Sequence, residues 1–475
     1  MNNINFIKLF SILISILILT VLCLFFTFKP DLALIILPIL ITIVFSIPFL
    51  LVKKIDLFSI WSFIFYSVFF GVLLRCLYIY FNIPNINRIN QVFLLGENKA
   101  FLVPSMFLIL FGSICLVIGF LSAKKKINFK RKIFTHNEWS EKRFFILTPL
   151  LMVLSFLALV LFINLQGGLF SIKSISNYRG VSTNLSDTAT YSYLRVIISL
   201  SGINFLLLYT WLLNYKKRKR IASILLVFSF CIFIFYNFYV SQRAAVFFMF
   251  VNIIALSYYF NNLKLPKKKI ILALIPALLF FQIMSTIRQD FTSIDNQDVN
   301  FSILKSIEPA VLTTNMIDVS KTAHIIEAIP NKIDYQYGYT LITASFAWIP
   351  RFLWKSKPAS NVDNTIGMKV FGSKTYGSGG VPPGIFAELY WNFWILGVLI
   401  GCFLIGRYLK IVHLTFTYYN SNKNSVLIYV IVFMLNGIWL IGSSFSSVLI
   451  GLLTTLFPLI WILNFITIRS NNIKQ

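Results

Sequence analysis

Three cations crowd one short stretch, "WIPRFLWKSKPA" (348–359): Arg351, Lys355 and Lys357 stand there in an otherwise oily chain. A guanidinium fork matches phosphate bidentately and two ammonium groups add point charge, so the stretch is equipped to bind a phosphate or diphosphate. A plainer alternative is an interfacial belt, with Trp348, Phe352 and Trp354 at headgroup depth and Arg351 and Lys355 touching lipid phosphate. Other cations gather with it by topology: Arg243 in the turn "YVSQRAAVF", Arg288 at a helix end, Arg179 in "SNYRGVST", and Arg195 just inside a helix. Arg75, in "GVLLRCLYIY", falls roughly 9 Å inside a helix end by helical rise. An arginine at that depth faces a bundle interior or a wet cavity, or else snorkels. Glu388, in "PPGIFAELYWNF", is the telling carboxylate. It is either favourable helix-dipole placement, the ion-pair partner of the arginines, or a general base. His324 is a further base by type, although a lone loop histidine is more often solvated.

The elements that must position these residues are membrane helices. The 475-residue chain is 58% hydrophobic and 12% charged, against about 25% charged in soluble domains, and its mean hydropathy is +0.82. About 20 apolar residues cross a bilayer. Such runs fall at 6–28, 31–52, 57–81, 101–121, 144–165, 191–213, 221–240, 244–260, 270–287, 384–406, 425–441 and 446–467. The reading is an all-α polytopic membrane protein of about twelve helices. The first run has a single Lys8 before it and no small-residue cleavage site after it, and reads as a retained span.

Net charge +27 raises nucleic acid as a partner, but its distribution argues against it. With both termini cytoplasmic, 25 of the 42 Lys and Arg fall inside, in "AKKKINFKRK", "YKKRKR" and "KLPKKK" above all, beside only Asp56, Glu138 and Glu141. That is the positive-inside bias, so the charge sets topology. The cysteines (Cys23, Cys76, Cys115, Cys231, Cys402) all sit within predicted spans, and no Cys/His cluster has metal-ligand spacing. The site residues therefore include no metal ligands, and no cofactor is expected.

Three regions follow: helices one to nine over 1–287, a large extracytoplasmic loop over 288–383, and helices ten to twelve with a cytoplasmic tail over 384–475. The loop holds eight of the fifteen acids and nine bases. Long loops of this kind are functional or disordered. This one keeps "YQYGYTLITASFAWIPRFLW", so it can fold against the membrane surface, and "MIDVSKTAHIIEAI" reads as a short amphipathic helix. The turn "YGSGG" follows no strand and is not a nucleotide loop.

"SQRAAVF" after helix seven, "IPRFLWKSKP" in the loop and "GGVPPGIFAELYWNFWILGVLIG" entering helix ten together give a layout that resembles O-antigen polymerases of the Wzy type. Arg351 is followed by Gly367 after fifteen residues, a spacing found in some members; the companion spacing of ten is absent from the outer arginines. The resemblance implies a GT-C-like, metal-independent membrane glycosyltransferase of the bacterial inner membrane. It would move a growing glycan from undecaprenyl diphosphate onto a new undecaprenyl-diphosphate-linked oligosaccharide unit, with a chain-length regulator protein as a further partner. Arg351, Glu388 and Arg288 would then be catalytic, and Arg243, Arg179, Arg195, Lys355, Lys357 and Arg75 would bind the diphosphate. Independently of family, a diphosphate leaving group needs cations where charge develops, and an acceptor hydroxyl needs a base. A flippase for the same lipid and an O-antigen ligase remain the alternatives. Concentration of nearly a hundred non-spanning residues in one late loop speaks against the two related halves of many transporters.

Overall fold

The computed structural model describes residues 30–80, 101–168, 185–270, 317–372 and 380–468, short gaps apart. The expected spans 6–28 and 270–287 lie essentially outside these residues. The other ten are all helices. In chain order they and the shorter elements are α1 Pro30–Leu50, α2 Ile60–Val68, a π-turn Phe69–Leu74 leading into α3 Arg75–Tyr80, α4 Leu102–Ser122, α5 Lys132–Thr135 and α6 Glu141–Leu165. Next come α7 Leu185–Asn214, α8 Lys219–Tyr239, α9 Arg243–Phe260, α10 Val319–Ala328, α11 Tyr339–Ser345, α12 Val362–Lys369 and α13 Gly384–Tyr418. The chain continues through α14 Lys423–Ile428, a π-turn Tyr429–Phe433, α15 Asn436–Gly442 and α16 Phe445–Ile466. Nine apolar segments among the described residues are long enough to cross a membrane, and α9 adds a shorter one. Residues 30–468 contain no strand among those described, beyond one isolated bridge between Trp139 and Thr467.

Without water in the hydrocarbon, helix association rests on close packing, and small residues permit it. α4 and α13 form the central pair: a Cβ on Gly119 would meet the Phe403 carbonyl oxygen at 2.0 Å, and one on Gly406 would meet that of Leu116 at 2.0 Å. Side chains at these two positions would force the helices apart.

The two ends of the bundle differ. At one, Trp139 Nε1 donates to Asn424 Oδ1 (2.7 Å), Asn424 Nδ2 reaches Thr467 Oγ1 (3.2 Å), and the Trp139 backbone N–H donates to the hydroxyl of Tyr215 (3.0 Å), at the start of the basic connection 215–220. The 22 residues of α16 separate this end from the other, roughly 33 Å at helical rise. The loop helices α10, α11 and α12 sit at the far end. Here the structure departs from the surface-lying helix expected for "MIDVSKTAHIIEAI". α10 is buried on almost every side, Lys321 included, and packs on α4 and α13. Asp318 explains how such a short helix holds: its Oδ1 accepts the backbone N–H groups of Ser320 (3.0 Å) and Lys321 (3.3 Å), an N-cap worth about 1 kcal/mol.

Candidate functional site

A buried charged cluster occupies the far end. Arg75 is 1% exposed and its Nη2 lies 3.6 Å from Asp318 Oδ2. The π-turn before α3 is the local irregularity that precedes it, as is common beside functional residues. This is the bundle-interior arginine and not a snorkelling one. The pair is under-satisfied: Arg75 Nε, Nη1 and Nη2 and Asp318 Oδ2 have no hydrogen-bond partner among the described residues. One helical turn on, Lys321 is equally buried, and its Nζ donates to the Gly442 carbonyl oxygen (3.4 Å) at the end of α15. Burial weakens the hold of the Lys321 ammonium on its proton, down to about 8, against the opposing pull of Asp318 and Asp363.

The turn between α15 and α16 is the hub. Ser444 caps α16 by position, but its side chain makes no capping bond; Glu388 of α13 does so instead. Its Oε2 accepts the Phe445 N–H at 2.7 Å, and its Oε1 accepts the Thr340 hydroxyl at 3.1 Å. A carboxylate on a helix N-terminus is favourable by dipole and by hydrogen bond. The dipole that Glu388 serves is thus that of α16 as well as its own helix. Asp363 of α12 meets the same turn, its Oδ2 accepting from Ser447 Oγ (3.1 Å), while its Oδ1 is buried with no hydrogen-bond partner among the described residues. Burial raises the Asp363 carboxyl above its ordinary value, against hydrogen bonds from Ser444 and Ser447 and the charge of Lys321.

A second layer fixes Glu388. Asn392, fully buried one turn further, donates from Nδ2 to Thr340 Oγ1 (2.7 Å) and to the Glu388 carbonyl oxygen (2.8 Å), and its Oδ1 accepts the Gly338 N–H (3.1 Å). Trp391 Nε1 donates to the Asp334 carbonyl oxygen (2.9 Å). These bonds strap residues 334–340 onto the first turns of α13. Just beyond, α13 breaks at Phe393 and Trp394, where an open apolar groove of about 950 Å³ runs along the helix.

The sequence-derived residues fall into three groups. Arg75 and Glu388 come to the cluster. Glu388 is held there by an N–H and a hydroxyl, and among the described residues it forms no ion pair with arginine. Lys357 is 9% exposed and donates to the Ile349 carbonyl oxygen (3.0 Å), so that ammonium is engaged with its own loop. Arg195 is exposed and lies over the Phe162 ring (5.6 Å), within a separate apolar cluster. Arg351, Arg288, Arg179 and Lys355, and the Arg243 side chain, lie outside what the structure describes. His324 is half-buried rather than solvated, 3.9 Å from Glu327, and burial lowers its proton affinity. Sequence reasoning missed Asp318, Lys321 and Asp363 as site residues. The available signal was an Asp and a Lys three apart inside "IDVSKTAHII", an apolar helix where charge has no reason to stand unpaired.

This cluster can hold negative charge with Arg75 and Lys321 and accept a proton at Asp363 Oδ1. Among the described residues no three His, Cys, Asp or Glu side chains gather as a metal site. The family model described as O-antigen polysaccharide polymerase Wzy matches residues 4–473. No curated protein and no solved structure matches the chain.

Proposed function

Because the chain belongs to the O-antigen polysaccharide polymerase Wzy family, multi-pass inner-membrane proteins that act on lipid-linked oligosaccharide units, we propose a specific division of labour at the far end of the bundle. That end faces the extracytoplasmic side, with both termini cytoplasmic. The growing glycan passes from undecaprenyl diphosphate to a hydroxyl of the next lipid-linked unit. The observation that carries this reading is that Lys321 and Asp363 both meet the α15–α16 turn, while the buried Arg75–Asp318 pair stands one helical turn from Lys321.

The roles follow from the chemistry. The acceptor hydroxyl gives its proton to Asp363 Oδ1, the carboxylate oxygen that the protein leaves without a hydrogen bond among the described residues. Attack on the anomeric carbon expels the diphosphate, whose developing charge is met by Lys321 and Arg75, together with Arg351 and Arg288 from the late loop. Glu388 positions: it holds the start of α16 so that Ser447 can orient Asp363. α10 and α11 cover the site and limit water, which would otherwise hydrolyse the donor. No metal is needed for this sequence of steps, and a chain-length regulator would act from outside the bundle.

The test is the lipid-linked glycan of a deletion strain. Single repeat units on the outer surface support a polymerase; units trapped inside indicate a flippase, and long unattached polymer a ligase. Asp363→Asn should reproduce the single-unit phenotype at normal membrane abundance, since an amide keeps the Ser447 bond and cannot take the proton.

A further inference from the structure

α13 departs from helical geometry at Phe393 (φ −142°, ψ 22°) and Trp394 (φ 56°, ψ −153°). A positive φ at a bulky residue costs on the order of 1–3 kcal/mol and persists only where its surroundings demand it. In a bilayer the break also frees N–H and C=O groups, which is tolerated where the backbone is covered by protein or lines a cavity. Here it lines the groove of about 950 Å³.

The groove is hydrocarbon along its length. Leu396, Ile400 and Leu404, 62%, 60% and 57% exposed, recur every four residues and form one wall. From Trp394 to Leu404 this wall extends roughly 15 Å, about half the hydrocarbon thickness of a bilayer. Its occupant is therefore apolar over that length. The upper end is different. Asn392 lines the groove there, and its Nδ2 contacts Thr340 Oγ1 at 2.7 Å, which in turn donates to Glu388 Oε1 at 3.1 Å. An apolar channel thus ends two hydrogen bonds from the buried carboxylate that sits on the α15–α16 turn, where Lys321 and Asp363 also meet. A lipid whose headgroup is needed at that turn, where the Lys321 ammonium meets the Gly442 carbonyl oxygen, would lay its chain along this wall.

We infer that this groove seats the polyprenyl chain of a lipid-linked oligosaccharide, with the diphosphate directed toward the Asn392 end. The inference rests on the polymerase reading for the identity of the lipid, and the test separates the two. The full-length protein in phosphatidylglycerol nanodiscs is irradiated with undecaprenyl diphosphate carrying a photoactivatable group in its isoprenoid chain, and labelled peptides are mapped by mass spectrometry. Label is expected on residues 394–404. Ile400→Trp, which fills the groove from an exposed position, should abolish that label and shorten surface polymer at normal abundance. Leu150→Trp, at a position 51% exposed on α6, should leave both unchanged. Label elsewhere on the protein, its persistence in Ile400→Trp, or equal groove labelling by a phosphatidylglycerol carrying the same photoactivatable group in its acyl chain would each overturn the groove assignment. Groove labelling in a protein whose deletion leaves polymer length intact would uphold the groove and remove the polymerase reading alone.

Discussion

Glu388 offers the clearest separation of structure from chemistry. Both of its oxygens are committed: Oε2 to the Phe445 N–H at 2.7 Å and Oε1 to the Thr340 hydroxyl at 3.1 Å, in a residue 2% exposed. Glu388→Ala leaves the backbone donor and the hydroxyl buried without this acceptor. Each such loss costs about 1–3 kcal/mol, so the variant should lose about 2–6 kcal/mol, against a total stability on the order of 5–15 kcal/mol. Glu388→Gln is milder. The amide oxygen takes the Phe445 N–H, and the amide nitrogen faces Thr340 Oγ1, which already accepts from Asn392 at 2.7 Å and has a second lone pair. Exchanging a charged for a neutral hydrogen bond costs about 1 kcal/mol. Membrane abundance, detergent-extracted Tm and glycan ladder length are measured on the same cultures. The Ala variant should fall in abundance and Tm and make short chains, while the Gln variant should retain most of all three. Gln at full abundance with rate reduced about 10²–10⁴-fold, the usual contribution of a general base, would show that Glu388 does the chemistry. An Ala variant at wild-type Tm would refute the strut.

Three further outcomes can be checked. Polymerisation in proteoliposomes should decline as pH rises through about 8, because burial lowers the Lys321 ammonium from its ordinary 10.5 to about 8, and Lys321→Arg should flatten the decline. Over the same window the unfolded chain binds a proton that the folded chain does not, so stability rises with pH; a fall in Tm above pH 8 would count against this assignment. Arg75→Ala and Asp318→Asn each strand a buried charge and should cost about 3–5 kcal/mol, while the double variant should cost less than the two together, and Asn keeps the α10 cap; simple additivity in Tm would mean the pair is not coupled. Cysteine at position 337, where Tyr337 is 79% exposed, should react with an impermeant reagent from outside, and cysteine at Arg218, an exposed site among the basic loops, should not; the reverse would invert the topology.

Helical class, family and the ten spans that the structure describes were legible along the chain. Apolar runs of bilayer length must be helices, because only a helix satisfies its own backbone in hydrocarbon, and ten of the runs appear as helices where the structure describes them. Arg75 was legible only in part: its depth allowed either an interior partner or snorkelling, and the structure places it inside the bundle. The partner was not legible. Asp318 is one of eight acids in a loop, and nothing local distinguishes it from a solvated one until α10 is seen buried against α4 and α13. The same holds for Lys321 and Asp363, whose contacts come from a turn at residues 442–447 that is distant from both in the chain. Glu388 read as a charge at the start of its own helix, and tertiary packing gave it the N-terminus of another. Periodicity and charge bias are properties of neighbours in sequence, so the sequence alone determined the helical class and which of the described runs are long and apolar enough to cross a membrane. Which carboxylate meets which cation depends on long-range packing, where a buried charge persists with a partner whose geometry and hydrogen bonds offset the desolvation of both; only the tertiary structure decided that.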